Sequence, residues 1–261
     1  MSKKQTTRHR DDSRLNEETA QFGYQQVPAR EKGNLVQRHF DSIATKYDFM
    51  NTLMSFGLHY LWKRAAVKMM NLTPGKRVLD VCGGTADLAI LAARCVGPEG
   101  RVIVYDFNRA MMDAGKEKVR HVLLDARIKY IQGDAEQISF PAGQFDAAMV
   151  GFGIRNLTHM GKGFAEMYRV LKPGGTLMCL EFSRPANILF RLLYDLYSFY
   201  IMPFIGRIFT GSRTAYTYLP ESIRLFPQPD ELAAILRNIG FSTVTWRRLT
   251  NGIAVVHVGV K

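Results

Sequence analysis

The chain has 261 residues, 47% of them hydrophobic and 22% charged, which suits one α/β core with decorations better than two full domains. Its 35 lysines and arginines against 23 acids give a net charge of +12, yet the basic residues are scattered and no dense basic run interleaves with aromatics, so nucleic acid is not the expected partner. Cys82, Cys95 and Cys179 lack CxxC spacing and the six histidines lack ligand spacing, which argues against a disulfide framework or a metal site and for a reducing, cytoplasmic setting.

Residues 1–33 are polar, charged on both signs and without apolar periodicity, and they read as a flexible extension ahead of a single domain over 34–261. From Asn34, the spacing of Leu35, Val36, Phe40, Ile43 and Tyr47 predicts an amphipathic helix, and a second helical segment follows over about 58–70. These form an N-terminal helical cap. Strands near 77–81, 101–105, 127–132, 145–150 and 174–181 then alternate with helices near 86–94, 108–119 and 160–170. That alternation predicts a doubly wound, mostly parallel sheet, with Lys172-Pro173-Gly174-Gly175 as the turn before the fifth strand. A helix near 230–239 and strands near 241–248 and 252–260 complete a seven-stranded sheet.

After the fifth strand, residues 183–228 form an insertion whose apolar run exceeds what one helix face buries against a sheet. Arg191, Asp195, Pro203 and Arg207 interrupt the run, which argues against a membrane-spanning helix. The insertion reads either as a core helix pair or homodimer interface, or as a lid over an apolar substrate tunnel that rests peripherally on the inner face of a membrane. The basic surface would assist that contact.

The chemistry gathers at strand ends. Val78-Leu79-Asp80-Val81-Cys82-Gly83-Gly84 is an apolar strand running into a glycine turn, where Gly83 and Gly84 let backbone approach a ligand. Asp80 lies at the carboxyl end of that strand, where open α/β sheets bind their ligands. Arg101-Val102-Ile103-Val104-Tyr105-Asp106 repeats the pattern at the distance that sets a carboxylate on ribose hydroxyls, so the cofactor contains adenosine. Thr85 and Leu88 stand where a dinucleotide fingerprint needs glycines. Asp80 would repel a pyrophosphate but attract the ammonium and sulfonium of S-adenosylmethionine. A nicotinamide-dependent oxidoreductase is therefore the weaker alternative. Asp134 adds a third acid, placed to accept from an adenine amino group while Ala135 leaves room for the ring. Past the fourth strand, Gly151-Phe152-Gly153 leads to Arg155 and Asn156, which present donors to an oxygenated substrate, and Tyr47 offers a phenol from the cap.

Several strings are more specific. Phe40-Asp41-Ser42-Ile43-Ala44-Thr45-Lys46-Tyr47-Asp48-Phe49-Met50-Asn51, Leu61-Trp62-Lys63-Arg64, Gly83-Gly84-Thr85, Gly151-Phe152-Gly153-Ile154-Arg155-Asn156, Leu180-Glu181-Phe182-Ser183 and Tyr218-Leu219-Pro220-Glu221-Ser222-Ile223 together resemble the ubiquinone/menaquinone biosynthesis C-methyltransferases, the UbiE (MenG) family. The resemblance runs from about residue 36 to the last residue. It implies a Rossmann-like class I methyltransferase fold and transfer of a methyl group from S-adenosylmethionine to a ring carbon of a prenylated quinol, either demethylmenaquinol or a 2-methoxy-6-polyprenyl-1,4-benzoquinol. A cofactor-binding scaffold without turnover in a quinone-biosynthesis complex is the alternative. By the same resemblance Thr85, Asp106, Asp134 and Ala135 contact the cofactor, and Gly151 holds a position that is often serine. Two departures stand out: Ala86 replaces the usual third glycine, adding a methyl on the cofactor side, and Gly151 removes a hydroxyl. Arg155 and Asn156 then orient the phenol, with the always-protonated Arg155 stabilising the phenolate and not acting as a base.

Overall fold

A computed structural model describes residues 18–210 and 213–261 of the chain. Seven strands, β3 (Arg77–Val81), β4 (Arg101–Asp106), β5 (Ile128–Gln132), β6 (Phe145–Gly151), β7 (Leu171–Phe182), β8 (Thr243–Leu249) and β9 (Ala254–Val260), form one sheet in the order β5-β4-β3-β6-β7-β9-β8. The five strands from β3 to β7 run parallel and β9 is antiparallel to both β7 and β8. This is the expected doubly wound, seven-stranded architecture. The first five strands are apolar because helices cover both faces: Val78, Leu79 and Val81 in β3 and Ala148, Met149 and Val150 in β6 are fully buried.

Helices α4 (Asp87–Val96), α5 (Arg109–His121), α6 (Met160–Val170) and α10 (Pro229–Ile239) fall where the apolar spacing puts them. Each boundary has a local cause. The Asn108 side chain accepts from the Met111 amide to cap α5, and Gln228 with Glu231 forms a capping box on α10, with Pro229 at its first turn. The Lys172-Pro173-Gly174-Gly175 string is not a free turn before the fifth strand. β7 starts at Leu171, directly after α6, and the string makes an irregularity within it: Phe145 pairs with Leu171 but Ala147 with Thr176, with Gly174 at φ +73°.

The reading of residues 1–33 as a flexible extension needs correction over its second half, while residues 1–17 lie outside the described residues. Strands β1 (Thr19–Phe22) and β2 (Gln25–Pro28) form an antiparallel hairpin, and α1 (Ala29–Ile43) starts five residues before Asn34. Pro28 supplies the helix start. The hairpin is polar in sequence and gains its order by docking: Phe22 stacks on Tyr218 at 4.4 Å, the Tyr24 amide donates to Glu221 Oε2 at 3.1 Å, and His159 bridges Glu18 and Glu136 at 2.8 and 2.7 Å. Helices α2 (Tyr47–Met54) and α3 (Leu58–Met69) complete the cap.

In the insertion, α7 (Ile188–Leu196), a π-turn over Tyr197–Ile201 and α8 (Met202–Thr210) join end to end, and α9 (Arg213–Leu225) returns beside them. Contrary to the expectation that its charges and Pro203 would interrupt it, Ile188–Ile208 is one helix long and apolar enough, by length and composition, to cross a membrane. Pro203 cannot donate to the Phe199 carbonyl, and the widened π-turn just before it absorbs that defect.

Its bonds to Glu18 and then Glu136 raise the His159 pKa. Their contribution to hairpin docking is complete below the unfolded value of about 6.5 and is lost as pH rises through the higher folded value. Amide exchange in Thr19–Pro28, corrected for its intrinsic pH dependence, is expected to accelerate above neutral pH, and His159→Gln should flatten that profile; equal protection at both ends of the range would show that the imidazole does not hold the hairpin.

Candidate active site

The chain order of the sheet reverses between β3 and β6, so the crevice opens at their carboxyl ends. There a cavity of about 200 Å³ gathers Tyr47, Asp80, Gly83, Thr85, Asp106, Asp134, Ala135, Gly151 and Asn156, nine of the sequence-predicted site residues. Its roof is one face of α1, where Gly33, Val36, Gln37 and Phe40 recur at helical spacing.

The loop geometry explains the residue types. A Cβ on Gly83 would lie 2.9 Å from Asp80 Cγ and from Val104 Cγ1, and Gly84 has φ +48°. Asp106 organises the loop: Oδ2 accepts from the Gly84 amide at 2.8 Å and Oδ1 from the Asn108 amide at 2.7 Å. Burial pushes the Asp106 pKa up to about 6 even against these amides. Asp80 is almost fully buried, and neither of its oxygens has a hydrogen-bond partner of normal geometry. Burial drives its pKa well above the usual range, although the Ala89 amide at the start of α4 opposes this. An orphaned carboxylate under a ligand loop fits a cationic ligand, which would restore its charge. Asp134 Oδ1 accepts from the Glu136 amide at 2.8 Å, so this acid both makes a local turn and faces the cavity. Ala86 departs from its expected place. It lies outside the cavity lining, fully buried at φ +66°, so the missing glycine affects backbone strain and not the ligand surface. A Cβ on Gly151 would meet the end of the buried Leu88 side chain, Cδ1, at 2.5 Å.

Arg155 is not in this cavity. It lines a second, largely apolar one of about 340 Å³, which shares Phe40, Tyr47, Lys63 and Phe152 with the first. Its guanidinium is almost fully buried and fixed: Nη1 donates to the Phe152 carbonyl at 2.6 Å and to Glu181 Oε1 at 2.7 Å, Nε donates to Ser222 at 3.3 Å, and the Phe182 ring lies beneath it. Burial raises the Glu181 pKa, opposed by Arg155. Asn156, which lines the first cavity, accepts from the Tyr218 hydroxyl through Oδ1 at 2.8 Å. The two residues predicted to act side by side therefore face the junction from different cavities.

Tyr197 and Tyr218 line the second cavity from the insertion, where an apolar tunnel was one expected reading; sequence reasoning missed the share that the cap supplies through His39, His59 and Trp62. At His39, burial and then Arg155 lower the pKa to about 4. The spacing of Leu58, His59, Trp62 and Lys63 is a helical stripe that marks this face, but polar residues in it conceal the pattern. Also missed was the network beneath the loop. Lys63 and Lys118 both reach Asp87, at 2.5 and 2.6 Å, and hold its pKa down to about 2 despite burial; Lys118 also reaches Asp48 at 2.6 Å. Among the described residues no group of His, Cys, Asp and Glu could hold a metal ion.

Comparisons with known proteins speak to family and fold. The model of the ubiE/COQ5 methyltransferase family matches residues 26–261. The ubiquinone/menaquinone biosynthesis C-methyltransferase UbiE of Pseudomonas entomophila (strain L48) is 44% identical over 94% of this chain and 96% of its own length. That of Pseudomonas aeruginosa (strain LESB58) is 43% identical over the same shares. Among solved structures, the [4+2]-cyclase SpnF superposes with a TM-score of 0.64 at 16% identity, covering 87% of this chain and 94% of that one. A SAM dependent methyltransferase from Aquifex aeolicus gives 0.58 at 20% identity, covering 82% and 96%. At these identities the structures speak to the fold alone.

Asp106 accepts from ligand hydroxyls best as a carboxylate, so affinity for an adenosine cofactor is expected to fall as pH drops through about 6. Asp106→Asn should weaken binding at neutral pH by roughly tenfold, the scale of one charge-assisted contact, and remove the acid limb. Titration calorimetry across pH checks both, and an unchanged acid limb in the variant would assign it to another group.

Proposed function

The chain belongs to the ubiE/COQ5 methyltransferase family, and from that premise we propose that it transfers a methyl group from S-adenosylmethionine to a ring carbon of a prenylated quinol in menaquinone or ubiquinone biosynthesis. The observation that carries the reading is the meeting of two unlike cavities at one wall. The acid-rimmed one suits a cationic nucleoside, the apolar one suits a ring with a hydrocarbon tail, and Tyr47 and Phe152 line both.

When bound, S-adenosylmethionine supplies an electrophilic methyl group. Asp106 holds its ribose, Asp134 with Ala135 its adenine end, and Asp80 with Thr85 its amino-acid end, against the glycine loop. The protein's remaining task concerns the ring, whose carbon is nucleophilic only when a neighbouring hydroxyl carries negative charge. Arg155 stabilises that charge. Nη1 and Nε are committed to protein acceptors, so Nη2 is the donor left for the ring oxygen, and Glu181 keeps the guanidinium from swinging away. Asn156, oriented by Tyr218, and the Tyr47 phenol position the ring from the cofactor side. Trp62, Phe152 and Phe182, packed with ring centroids 4.4 to 6.4 Å apart, exclude water from the junction.

The tail enters from a membrane surface. Ile188, Leu192, Leu196, Tyr200, Phe204 and Ile208 recur every four residues along the insertion helix and are 55 to 72% exposed. The opposite face of the same helix lines the apolar cavity through Phe190, Leu193, Tyr194 and Tyr197. Phe56, 79% exposed, extends the apolar rim from the cap. A patch of this size beside a cavity mouth fits peripheral docking at the cytoplasmic face, with the helix lying along the interface.

Arg155→Ala is expected to lower kcat on the order of 10²-fold with cofactor affinity nearly intact, and Arg155→Lys to recover only part. Because Glu181 is then left buried and unpaired, at a cost of about 3–5 kcal/mol, turnover is normalised to folded protein; normal turnover by Arg155→Ala with a reduced quinol analogue would remove Arg155 from the chemistry. The protein is also expected to cosediment with phosphatidylglycerol vesicles, and Leu192→Asp with Leu196→Asp to abolish this. Vesicle-independent dimerisation lost in the same variant would instead assign the helix to a second copy of the chain.

A further inference from the structure

A side-chain pair joins the cap to the centre of the cofactor loop, beside the Lys63–Asp87 ion pair. Thr85 Oγ1 lies 2.7 Å from Asp48 Oδ1, at the start of α2, while Asp48 Oδ2 accepts from Lys118 Nζ at 2.6 Å. A carboxylate can only accept, so the hydroxyl must donate to it, which turns both lone pairs of Thr85 Oγ1 away from Asp48. Thr85 is buried and lines the polar cavity. With Asp106 and Asp134 assigned to the ribose and the adenine, the other polar side chains of that cavity near the loop, Thr85, Asp80 and Asp87, are left for the amino-acid end. Asp87 is already occupied there by Lys63 and Lys118. What this end offers an incoming ammonium is therefore the unpartnered carboxyl of Asp80 and the lone pairs of Thr85.

We infer that Asp48 is a positioning residue that sets the polarity of the Thr85 hydroxyl, making it an acceptor for the α-ammonium of the methyl donor. The inference rests on the proposed cofactor and extends it to a residue of the substrate cap. It also means that α2 must be seated before the amino-acid end of the cofactor is fully recognised. An asparagine at position 48 keeps the shape but can donate to Thr85, which lets the hydroxyl turn its proton toward the ligand ammonium.

Two ligands separate this role from a structural one: S-adenosylhomocysteine, which carries the amino-acid end, and 5′-methylthioadenosine, which lacks it. By titration calorimetry, Asp48→Asn is expected to weaken S-adenosylhomocysteine roughly tenfold, the scale of one hydrogen bond to a charged group, and to leave methylthioadenosine within twofold, which also certifies the fold. Thr85→Val should show the same selective loss, and the double variant should lose no more than either single one. Equal weakening of both ligands by Asp48→Asn, additive losses, or unchanged S-adenosylhomocysteine affinity each overturn the inference. Wild-type protein that binds neither ligand overturns the cofactor reading and the inference with it.

Discussion

Parallel strand pairing is the constraint from which the rest of the molecule follows. Because β3, β4, β5 and β6 share one direction, their carboxyl ends must emerge at one edge, and each strand hands its last residues to that edge whatever lies between them in the chain. Asp80, Asp106, Asp134 and Gly151 are brought together in this way across more than 70 positions of sequence. The reversal of strand order between β3 and β6 then keeps the crossing helices from closing the crevice. The cap closes it instead.

Concentrating acids at one edge carries an electrostatic cost, and the structure meets it unevenly. Asp87 is neutralised by Lys63 and Lys118, and Glu181 by Arg155. Asp106 is only partly compensated by amides, and Asp80 has no hydrogen-bond partner of normal geometry, with only the Ala89 amide and Lys63 opposing its burial. Asp87 lines the cavity as well, but its charge is already taken up by lysines, whereas Asp80 and Asp106 keep theirs without a basic partner. That division tells a structural carboxylate from a binding one more clearly than sequence position does, since Asp80 and Asp87 are seven residues apart on one strand-loop-helix unit.

What was legible in the chain is what local periodicity and strand ends encode. The strands lie within three residues of the expected spans, because buried parallel strands announce themselves as apolar runs. The acid rim and the glycines follow from those strand ends. The hairpin was not legible, since Thr19–Pro28 has few apolar residues and owes its order to Tyr218, Glu221 and, through Glu18, His159 far along the chain. Neither was the separation of Arg155 from Asn156: adjacent residues in a 3₁₀ turn point in different directions, and the cavity that each lines is decided by tertiary packing. The Asp48 contact is a tertiary pairing across 37 positions, with no signature in either segment.

The π-turn in the insertion helix has a consequence for how this element tolerates change. Phe190, Leu193, Tyr194 and Tyr197 follow α-helical steps along the cavity wall, but the next residue on that wall is Met202, five positions on, while Ile201 faces outward. The turn thus holds one residue more than an ideal helix, and the segments either side keep the facings they would have without it. Chain length there is uncoupled from orientation. A single residue removed between Tyr197 and Met202 would restore regular winding without rotating α8 against α7, a change that anywhere else in the helix would turn every later side chain by about 100°. Pro203 is the exception to that freedom, because regular winding would drive its ring against a carbonyl. The proline therefore makes the extra residue a requirement of the present helix, not a spare one.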